Sequence, residues 1–285
     1  MKIIAGIVTY NPDLQRLQEN IEAVSKQVSE VVLFDNGSSN FNKIKKLENE
    51  YRLKVLASAT NKGIAFALNK LAEYSLKKGA TWLLTLDGDS VIYPNLISMY
   101  QKYIYLPNVG QLTCKRRDRN IKLDDSLRND TDSEFQEVKY AITSASLINL
   151  NALKKCGGFD EKLFIDWVDN EICCALRKQG YKTYEINYTG LLQEMGHASK
   201  KRFFNRVFYR PNYSPIRYYY NARNSIYVAR MYPNEERILS RVNNQLKVIF
   251  LNLIYEKDKI KKMNSVFHGI YVGIKLPVKR ERYLD

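Results

Sequence analysis

The sequence predicts an α/β fold, with a mostly parallel β-sheet flanked by helices and a basic helical appendage at the C-terminus. In the first half of the chain, short apolar runs typical of buried strands alternate with segments whose apolar residues have helical spacing. Charge then divides the chain, because residues 1–199 carry 26 Lys and Arg against 24 Asp and Glu, whereas residues 200–285 carry 19 against 6. This division indicates a boundary near residue 200.

The elements of the sheet follow from local patterns. Strands are predicted at Ile3–Val8, Glu30–Phe34, Leu53–Ala57 and Thr81–Leu86, and helices between them at Leu14–Val28, Asn42–Tyr51 and Ala65–Lys77. This alternation indicates a parallel, Rossmann-like sheet, because parallel neighbours are joined by crossover helices. Further along, the charged residues 115–137 predict a surface loop, Ala141–Leu150 a strand and Asn151–Cys156 a short helix.

More helices are predicted in the second half of the chain. Ile172, Ala175 and Leu176 form an apolar face that ends at Gly180, which places Asp169 at or near the helix N-terminus. An Asp at a helix start is often only an N-cap, so that interpretation of Asp169 stays open. Residues 215–232 begin at one proline and stop before another, and residues 235–256 have apolar residues at helical spacing.

Composition narrows the class of protein. Apolar residues make up 45% of the chain, and no apolar stretch reaches the length of about 18 residues that a membrane-spanning helix needs. Met1–Val8 is interpreted as a first strand rather than a signal peptide. Four cysteines without metal-binding spacing fit a reducing cytoplasm better than a zinc site or a disulfide framework. With only His197 and His268 present, a multi-histidine metal site is excluded.

The residues after the fourth strand, Asp87, Gly88 and Asp89, point to chemistry. Their carboxylate oxygens suit Mg²⁺ or Mn²⁺, which in turn bind diphosphates, and the glycine allows a tight turn and a close ligand. An ordinary solvated turn is the alternative. Two other polar loops, at residues 9–12 and 35–38, follow the first and second strands. Because ligands of such sheets bind beyond the carboxyl ends of the strands, we expect the three loops to line one crevice.

Five motifs occur along the chain in a specific order. They are Thr9-Tyr10-Asn11, Asp35-Asn36-Gly37-Ser38, Asn61-Lys62-Gly63-Ile64-Ala65, Leu86-Asp87-Gly88-Asp89-Ser90 and Asp166-Trp167-Val168-Asp169-Asn170-Glu171. Together they resemble the family-2 inverting glycosyltransferases of GT-A fold, over about residues 1–197. With Tyr219-Tyr220-Asn221-Ala222-Arg223-Asn224, the chain is similar to the rhamnosyltransferase and galactofuranosyltransferase branch.

The resemblance implies a division of the chain and roles for single residues. It implies a catalytic domain at 1–199, with its nucleotide-sugar half at about 1–112 and its acceptor side at about 138–199, followed by a basic helical region at 200–285. Asp169 corresponds to the general base, and Asp87 and Asp89 to ligands of Mn²⁺ or Mg²⁺, with His197 as a further candidate ligand. Asp35 corresponds to the residue that recognises the pyrimidine base. Further contacts to the nucleotide sugar are expected from Thr9, Tyr10, Asn11, Asn36, Asn61, Lys62, Gly63 and Gly88.

Two positions depart from the family pattern. Val168 stands where an acidic residue often precedes the base. Gln193 stands where the branch often has a metal-ligating histidine, and His197 lies just beyond. The third protein ligand of the metal is therefore left open.

The implied reaction moves a sugar from a nucleoside diphosphate sugar to a glycan or lipid-diphosphate-linked acceptor in bacterial surface polysaccharide synthesis. Rhamnosyl transfer from dTDP-rhamnose is the best match. The alternatives are a UDP-sugar donor (galactofuranose, GlcNAc, galactose or glucose) and a sugar nucleotidyltransferase. A nucleic-acid-binding protein would explain the basic tail but not the acidic loops, which repel phosphate without a metal. No nucleic-acid partner is therefore expected.

The basic tail has three interpretations. Its helices cap the catalytic domain, bind an anionic membrane surface, or join two copies in a homodimer. A cytoplasmic protein on the inner face of the cell membrane is expected.

Overall fold

The computed structural model describes residues 1–119, 133–193, 199–203, 206–210 and 213–284. The chain forms two compact units. Unit 1 comprises Met1–Lys162, Val168–Glu194 and Glu281–Asp285, and unit 2 comprises Leu163–Trp167 and Met195–Arg280.

Unit 1 is built around a sheet whose strand order is β3–β2–β1–β4–β8–β6–β9–β5, with β7 paired to β9. The strands are β1 (Ile3–Thr9), β2 (Glu30–Asp35), β3 (Lys54–Ala57), β4 (Trp82–Asp87), β5 (Val91–Ile92), β6 (Val109–Asp118), β7 (Phe135–Glu137), β8 (Ser146–Asn149) and β9 (Lys182–Gln193). The strands β3, β2, β1 and β4 are parallel, whereas β8 runs antiparallel to both β4 and β6. The sheet is therefore parallel over its first half and mixed over its second.

The helices of unit 1 cover the sheet with their apolar sides. They are α1 (Leu14–Ser25), α2 (Phe41–Glu50), α3 (Ile64–Lys77), α4 (Leu96–Gln101), α5 (Leu150–Lys155) and α6 (Val168–Lys178). In α1, Leu17, Ile21 and Val24 are buried at a spacing of three to four residues, which is one face of an α-helix. Strands β1 and β4 are buried almost throughout, as expected for parallel strands that are covered on both sides.

The predicted α/β fold is confirmed. The first four predicted strands and the three helices between them all form, with bounds that differ by no more than three residues at either end. The helices predicted around residues 151–156, 172–176, 215–232 and 235–256 form as well. Strands β5, β7 and β9 and helix α4 were not assigned from the sequence.

The surface loop predicted at residues 115–137 is wrong at both ends. Strand β6 continues to Asp118, because Lys115, Arg116 and Arg117 pair with β9, which satisfies their backbone groups while their side chains remain partly or fully exposed. Residues 135–137 form strand β7. The predicted strand Ala141–Leu150 shortens to Ser146–Asn149, because Ala145 has a φ of 59°, which ends an extended strand.

Unit 2 contains the β-hairpin β10 (Ser199–Phe203) and β11 (Arg206–Arg210) and the helices α7 (Pro215–Met231), α8 (Ile238–Tyr255) and α9 (Lys259–Lys275). Helix α9 packs on α7 through two glycines. A Cβ atom at Gly269 would lie 2.4 Å from the carbonyl oxygen of Tyr219, and one at Gly273 would lie 2.5 Å from that of Arg223. Only glycine permits this approach. Within the described residues, no helix is both long and apolar enough to cross a membrane.

The motif residue Asn224 has a structural contact in unit 2. Its side-chain amide donates hydrogen bonds to the carbonyl oxygens of Ile165, at 2.8 Å, and of Asp166, at 3.0 Å. Asp166 and Trp167 both have positive φ angles, of 62° and 67°, which residues other than glycine rarely adopt. Asn224 therefore holds a strained turn that directly precedes α6 in the chain.

Candidate active site

The register of the parallel strands brings three site residues to one edge of the sheet. Thr9 of β1 lies opposite Asp35 of β2, and Val8 of β1 lies opposite Asp87 of β4. Thr9 Oγ1 donates a hydrogen bond to Asp35 Oδ1 at 3.1 Å. The first loop and the acidic loop thus meet at the carboxyl ends of the strands, and Asp35 of the second loop lies beside Thr9.

The backbone of Asp87 is fixed from two sides. Its N–H donates to Ser144 Oγ at 3.2 Å, and its carbonyl oxygen accepts from the Asn20 side-chain amide at 2.8 Å. Gly88 lies against β1, since a Cβ atom there would be 3.4 Å from both the Val8 carbonyl oxygen and the Thr9 methyl group. The acidic loop therefore has a defined backbone.

Three carboxylates come together at this loop. Burial, together with the negative charges of Asp89 and Asp169, raises the pKa of Asp87 to about 6. A hydrogen bond from the amide of Gln193 to Asp87 Oδ2, at 2.9 Å, acts in the opposite direction. The structure thus groups Asp169 of α6 with the Asp87–Asp89 loop, although about 80 residues separate them in the sequence.

Asp169 lies inside the first turn of α6. The helix begins at Val168, so Asp169 is its second residue rather than the capping residue that precedes it. Its Oδ1 accepts a hydrogen bond from the N–H of Asn170 at 2.9 Å. A carboxylate in a first turn is stabilised by the positive end of the helix dipole, so the negative form is supported there.

The second polar loop is organised by Asp35. Its Oδ1 accepts hydrogen bonds from Thr9 Oγ1 and from Ser38 Oγ, and its Oδ2 accepts one from the N–H of Ser38 at 2.9 Å. The N–H of Asn11 donates to Ser38 Oγ at 2.7 Å. Asp35 is only 1% exposed, so in this structure its carboxylate joins the first and second loops.

The third motif is bound to the second loop by amide groups. Asn36 donates from its side chain to the carbonyl oxygen of Gly63 at 3.0 Å, and its Oδ1 accepts from the N–H of Lys62 at 2.9 Å. The N–H of Gly63 donates to Asn61 Oδ1 at 2.9 Å. Gly63 has a φ of 90°, which leads the chain into α3. The structure thus brings together the expected nucleotide-sugar residues of both motifs.

A cavity of about 260 Å³ lies between the first loop and the acidic loop. It is lined by Val8, Thr9, Tyr10, Asn11, Pro12, Asp13, Arg16, Gly88 and Asp89. The Tyr10 ring is 54% exposed beside it. Arg16 of α1 contributes a positive charge among these carboxylates, and only its place near a helix start could have indicated it from the sequence.

Sequence reasoning also missed the residues that hold Asp87. Ser144, Asn20 and the hydrogen bond of Gln193 come from distant parts of the chain. Asn20 had a detectable signal in the sequence, because it lies three residues after Leu17 and four before Val24, at the spacing of the apolar face of α1, where the structure shows it fully buried. Such a position normally requires a hydrogen-bond partner.

The oxygen donors of the acidic loop suit a hard cation, and its crowded negative charge would be relieved by one. Among the described residues, no three His, Cys, Asp or Glu side chains are arranged to hold a metal ion by themselves. His197, the further candidate ligand, lies outside the described residues. Mg²⁺ and similar ions are commonly held by one or two carboxylates together with phosphate oxygens and water, which the carboxylates of Asp87 and Asp89 would allow.

Comparisons with known proteins find relatives by sequence. Residues 5–160 match the model of glycosyl transferase family 2. The dTDP-rhamnosyl transferase RfbF of Shigella flexneri is 30% identical over 288 residues, which cover 96% of this chain and 95% of that protein. The family match covers the first four motifs and ends before the fifth, which contains Asp169.

Solved structures share the fold. S. aureus TarS 1–349 in complex with UDP-GlcNAc has a TM-score of 0.59 at 17% identity, over 95% of this chain and 81% of that one. GalNAc-T7 with UDP, GalNAc and Mn²⁺ has a TM-score of 0.61 at 14% identity, over 81% of this chain. The chain spans about half the length of GalNAc-T7 and of the longer TarS structure, with 48% and 49% covered. The expected GT-A fold is confirmed.

Proposed function

The chain belongs to glycosyl transferase family 2, and we propose that it transfers a rhamnosyl group from dTDP-rhamnose, with inversion, to a glycan or lipid-linked acceptor. The observation that carries the proposal is the similarity to RfbF, a dTDP-rhamnosyl transferase, over nearly the whole of both chains. A role in bacterial surface polysaccharide synthesis is part of the proposal. The family favours sugar transfer over the nucleotidyl transfer considered from the sequence.

A UDP-sugar is the second candidate donor. It is supported by the fold shared with TarS and GalNAc-T7, whose structures contain UDP-GlcNAc or UDP. That support is weaker than the similarity to RfbF, because sequence identities of 14–17% are evidence for a shared fold only.

Asp169 is proposed as the general base. An acceptor hydroxyl must lose its proton as it attacks the sugar, and a carboxylate near the donor site can take that proton, an effect worth about 10²–10⁴-fold. The position of Asp169 near Asp87 and Asp89 supports this role. One base opposite the leaving group gives a single displacement and therefore inversion at the sugar carbon.

The donor is proposed to lie across the first three loops. Thr9, Tyr10 and Asn11 would contact the nucleoside, with Asp35 toward the base. Arg16 lines the same cavity, and its guanidinium suits a diphosphate oxygen. The Asn36, Asn61, Lys62 and Gly63 network would complete the nucleotide side of the site.

Mn²⁺ or Mg²⁺ is proposed to bind at Asp87 and Asp89, together with the diphosphate. The oxygen donor set and the crowding of three carboxylates fit a divalent cation. When bound, such an ion stabilises the negative charge that grows on the leaving diphosphate. Asp87 and Asp89 would hold it, while Asp169 keeps its own role toward the acceptor.

Unit 2 is proposed to bind an anionic membrane surface on the cytoplasmic side, where a lipid-diphosphate acceptor would be found. The excess of 19 basic over 6 acidic residues in 200–285 supports this. Homodimerisation through the C-terminal helices is the rival proposal for the same surface.

Product analysis decides between the donors. The protein is incubated with Mn²⁺, a lipid-linked acceptor pool and either dTDP-rhamnose or a panel of UDP-sugars, and products are identified by mass spectrometry. The expected product carries one added deoxyhexose, 146 Da, only with dTDP-rhamnose. A hexose or HexNAc product with a UDP-sugar instead would replace the rhamnosyl assignment.

A further inference from the structure

Gln193 is the last described residue of β9 and faces the acidic loop from across the sheet. Its side-chain nitrogen lies 2.9 Å from Asp87 Oδ2, although the two residues are 106 positions apart. The amide nitrogen must face the carboxylate, because an ionised carboxylate accepts hydrogen bonds and cannot donate one. Gln193 therefore presents an N–H donor, and no lone pair, toward Asp87.

The remaining contacts of Asp87 explain why this hydrogen bond matters. Ser144 and Asn20 hold the backbone of Asp87, but a fixed backbone still leaves the carboxyl group free to rotate. Among the residues that the structure describes, Gln193 provides a hydrogen bond to the carboxyl group itself. It is also uncharged, so it fixes the carboxylate without cancelling the negative charge that attracts a cation.

The donor set then determines how a cation can bind. Asp87 and Asp89 supply two carboxylates, and the side chain that approaches Asp87 from β9 supplies a hydrogen atom instead of a third ligand. No group of three potential metal ligands occurs within the described ranges. Mg²⁺ and its relatives are commonly held by one or two carboxylates plus substrate phosphates.

We infer that Gln193 is a positioning residue, which holds the Asp87 carboxyl group in place for a divalent cation that also contacts the nucleotide diphosphate. The inference deepens the proposed function and rests on it. Cation and nucleotide binding are then strongly coupled, and by linkage each increases the affinity for the other by the same factor.

The test measures Mn²⁺ binding directly, by electron paramagnetic resonance of free Mn²⁺, with and without UDP or dTDP. In the unaltered protein, the nucleotide should tighten Mn²⁺ binding at least about tenfold, which is a coupling of about 1.4 kcal/mol. Gln193→Met keeps the size of the side chain and removes the donor. It should weaken Mn²⁺ binding in the presence of nucleotide about 10–100-fold, as loss of an outer-shell partner does.

Gln193→His should have the opposite effect. Its imidazole offers a lone pair, so Mn²⁺ binding without nucleotide should tighten about tenfold or more and the coupling should shrink. The matched control is Gln136 on β7, whose amide also donates to a carboxylate, Glu185 Oε1, at 3.0 Å. Gln136→Met and Gln136→His should leave Mn²⁺ binding unchanged.

The outcomes separate the inference from the proposed function. If Mn²⁺ fails to bind even with saturating nucleotide, the metal part of the proposed function is wrong. If Gln193→Met binds Mn²⁺ as tightly as the unaltered protein, at unchanged melting temperature, the positioning role is wrong and the proposed transferase activity stands. Melting temperatures of all variants, read in the same buffers, exclude simple unfolding.

Discussion

Asp169 and Asp87 show how one type of side chain takes different tasks in different surroundings. Asp169 lies in the first turn of a helix, where the backbone N–H groups support a negative charge. Asp87 lies at the end of a buried strand next to two other carboxylates, and its pKa is raised to about 6. The surroundings of Asp169 suit a proton acceptor, and the crowded negative charge around Asp87 favours the binding of a cation.

Replacing Asp169 by Asn should separate catalysis from folding. The amide keeps the shape of the side chain but cannot accept the proton, so turnover should fall about two to four decades. The affinity for the nucleotide, read by calorimetry, should stay near that of the unaltered protein. Glu50→Gln, at an exposed carboxylate at the end of α2, serves as the control. A large drop in melting temperature with turnover preserved in the folded fraction would show that Asp169 only stabilises α6.

Asp87→Asn should stabilise the metal-free protein. Because the pKa of Asp87 is about 6 in the folded chain and 3.8 ordinarily, the folded state holds a proton that the unfolded state releases between pH 4 and 6. Stability from this group is therefore lost as the pH rises through that window, at a cost of at most about 3 kcal/mol above pH 6.

Thermal unfolding in a chelator checks this prediction. At pH 7.5, Asp87→Asn should melt about 5 °C or more above the unaltered protein, and near pH 4 the two should coincide. The same variant should be inactive as a transferase. A variant that is less stable at pH 7.5 would mean that the Asp87 carboxylate has favourable partners that outweigh its burial.

At the scale of elements, the contact between α7 and α9 depends on glycine. Gly269→Ala would place a Cβ atom 2.4 Å from the Tyr219 carbonyl oxygen and 2.9 Å from the Ala222 side chain. Helix propensity alone would favour alanine by about 1 kcal/mol. Overpacking against a backbone atom costs about 1–3 kcal/mol or more, and it should prevail.

The melting temperature of the Gly269→Ala protein should therefore fall, whereas Asn264→Ala, at an exposed position of the same helix, should leave it unchanged or raise it slightly. Circular dichroism and calorimetry measure both variants. Equal or greater stability of Gly269→Ala would mean that α9 can move away from α7 without loss.

The elements that the sequence predicted correctly have local causes. Strand β1 and helix α1 are predicted by the spacing of apolar residues that lie close together in the sequence. The acidic loop is predicted by its three residues, Asp87, Gly88 and Asp89. The partners of Asp87 do not, because Asn20, Ser144 and Gln193 are 67, 57 and 106 residues away. Their roles depend on the order of the strands, because β8 and β6 lie between β4 and β9 in the sheet.

Charge patterns misled the sequence interpretation in two places. The basic residues at 115–117 predicted a loop, yet they lie on a paired strand with partly or fully exposed side chains. Lys262 belongs by sequence to the basic run at 257–262, yet it is 4% exposed and pairs with Glu256 at 2.8 Å. Pairing partners decide the outcome in both cases, a distant strand for residues 115–117 and the carboxylate of Glu256 for Lys262.

At the scale of the whole molecule, the exposed apolar residues are concentrated in unit 2. Outside it, the described large apolar side chains that are exposed are Met1, Tyr10 and Tyr105. On α8 and α9 they form two stripes with the same spacing, namely Leu239, Leu246, Phe250 and Leu253, and Ile260, Phe267, Tyr271 and Ile274. Apolar stripes on basic helices are typical of helices that lie in a membrane interface.

Charge favours a membrane over a second copy of the chain as the partner of these stripes. Two of the acidic residues of unit 2, Glu236 and Glu256, are buried in ion pairs with Arg241 and Lys262. The exposed surface therefore carries mainly Lys and Arg, and two copies would repel each other across it. Anionic lipid would instead neutralise it, while the apolar stripes enter the interface.

Vesicle binding should then have two separable parts. Charge reversal at Lys257, Lys259 and Lys261, each worth about 1 kcal/mol near the surface, should weaken binding to phosphatidylglycerol vesicles about a hundredfold in low salt. Phe250→Ser with Phe267→Ser should remove the part that persists in high salt, at about tenfold or more for each ring. Reversal at the exposed Lys26, Lys43 and Lys46 of unit 1, and Tyr105→Ser, are the matched controls.

Activity toward a soluble acceptor should survive all of these changes, because the three carboxylates of the candidate site lie in unit 1. Sedimentation of the lipid-free protein gives the rival outcome. If the phenylalanine variants dissociate a dimer and the unaltered protein ignores phosphatidylglycerol vesicles, the stripes join two copies instead. If the protein is monomeric and binds no vesicle, the basic surface serves neither partner, and the membrane proposal is wrong. If vesicle binding does not change with salt but requires both Phe250 and Phe267, the apolar stripes alone bind the membrane and the lysines do not contribute.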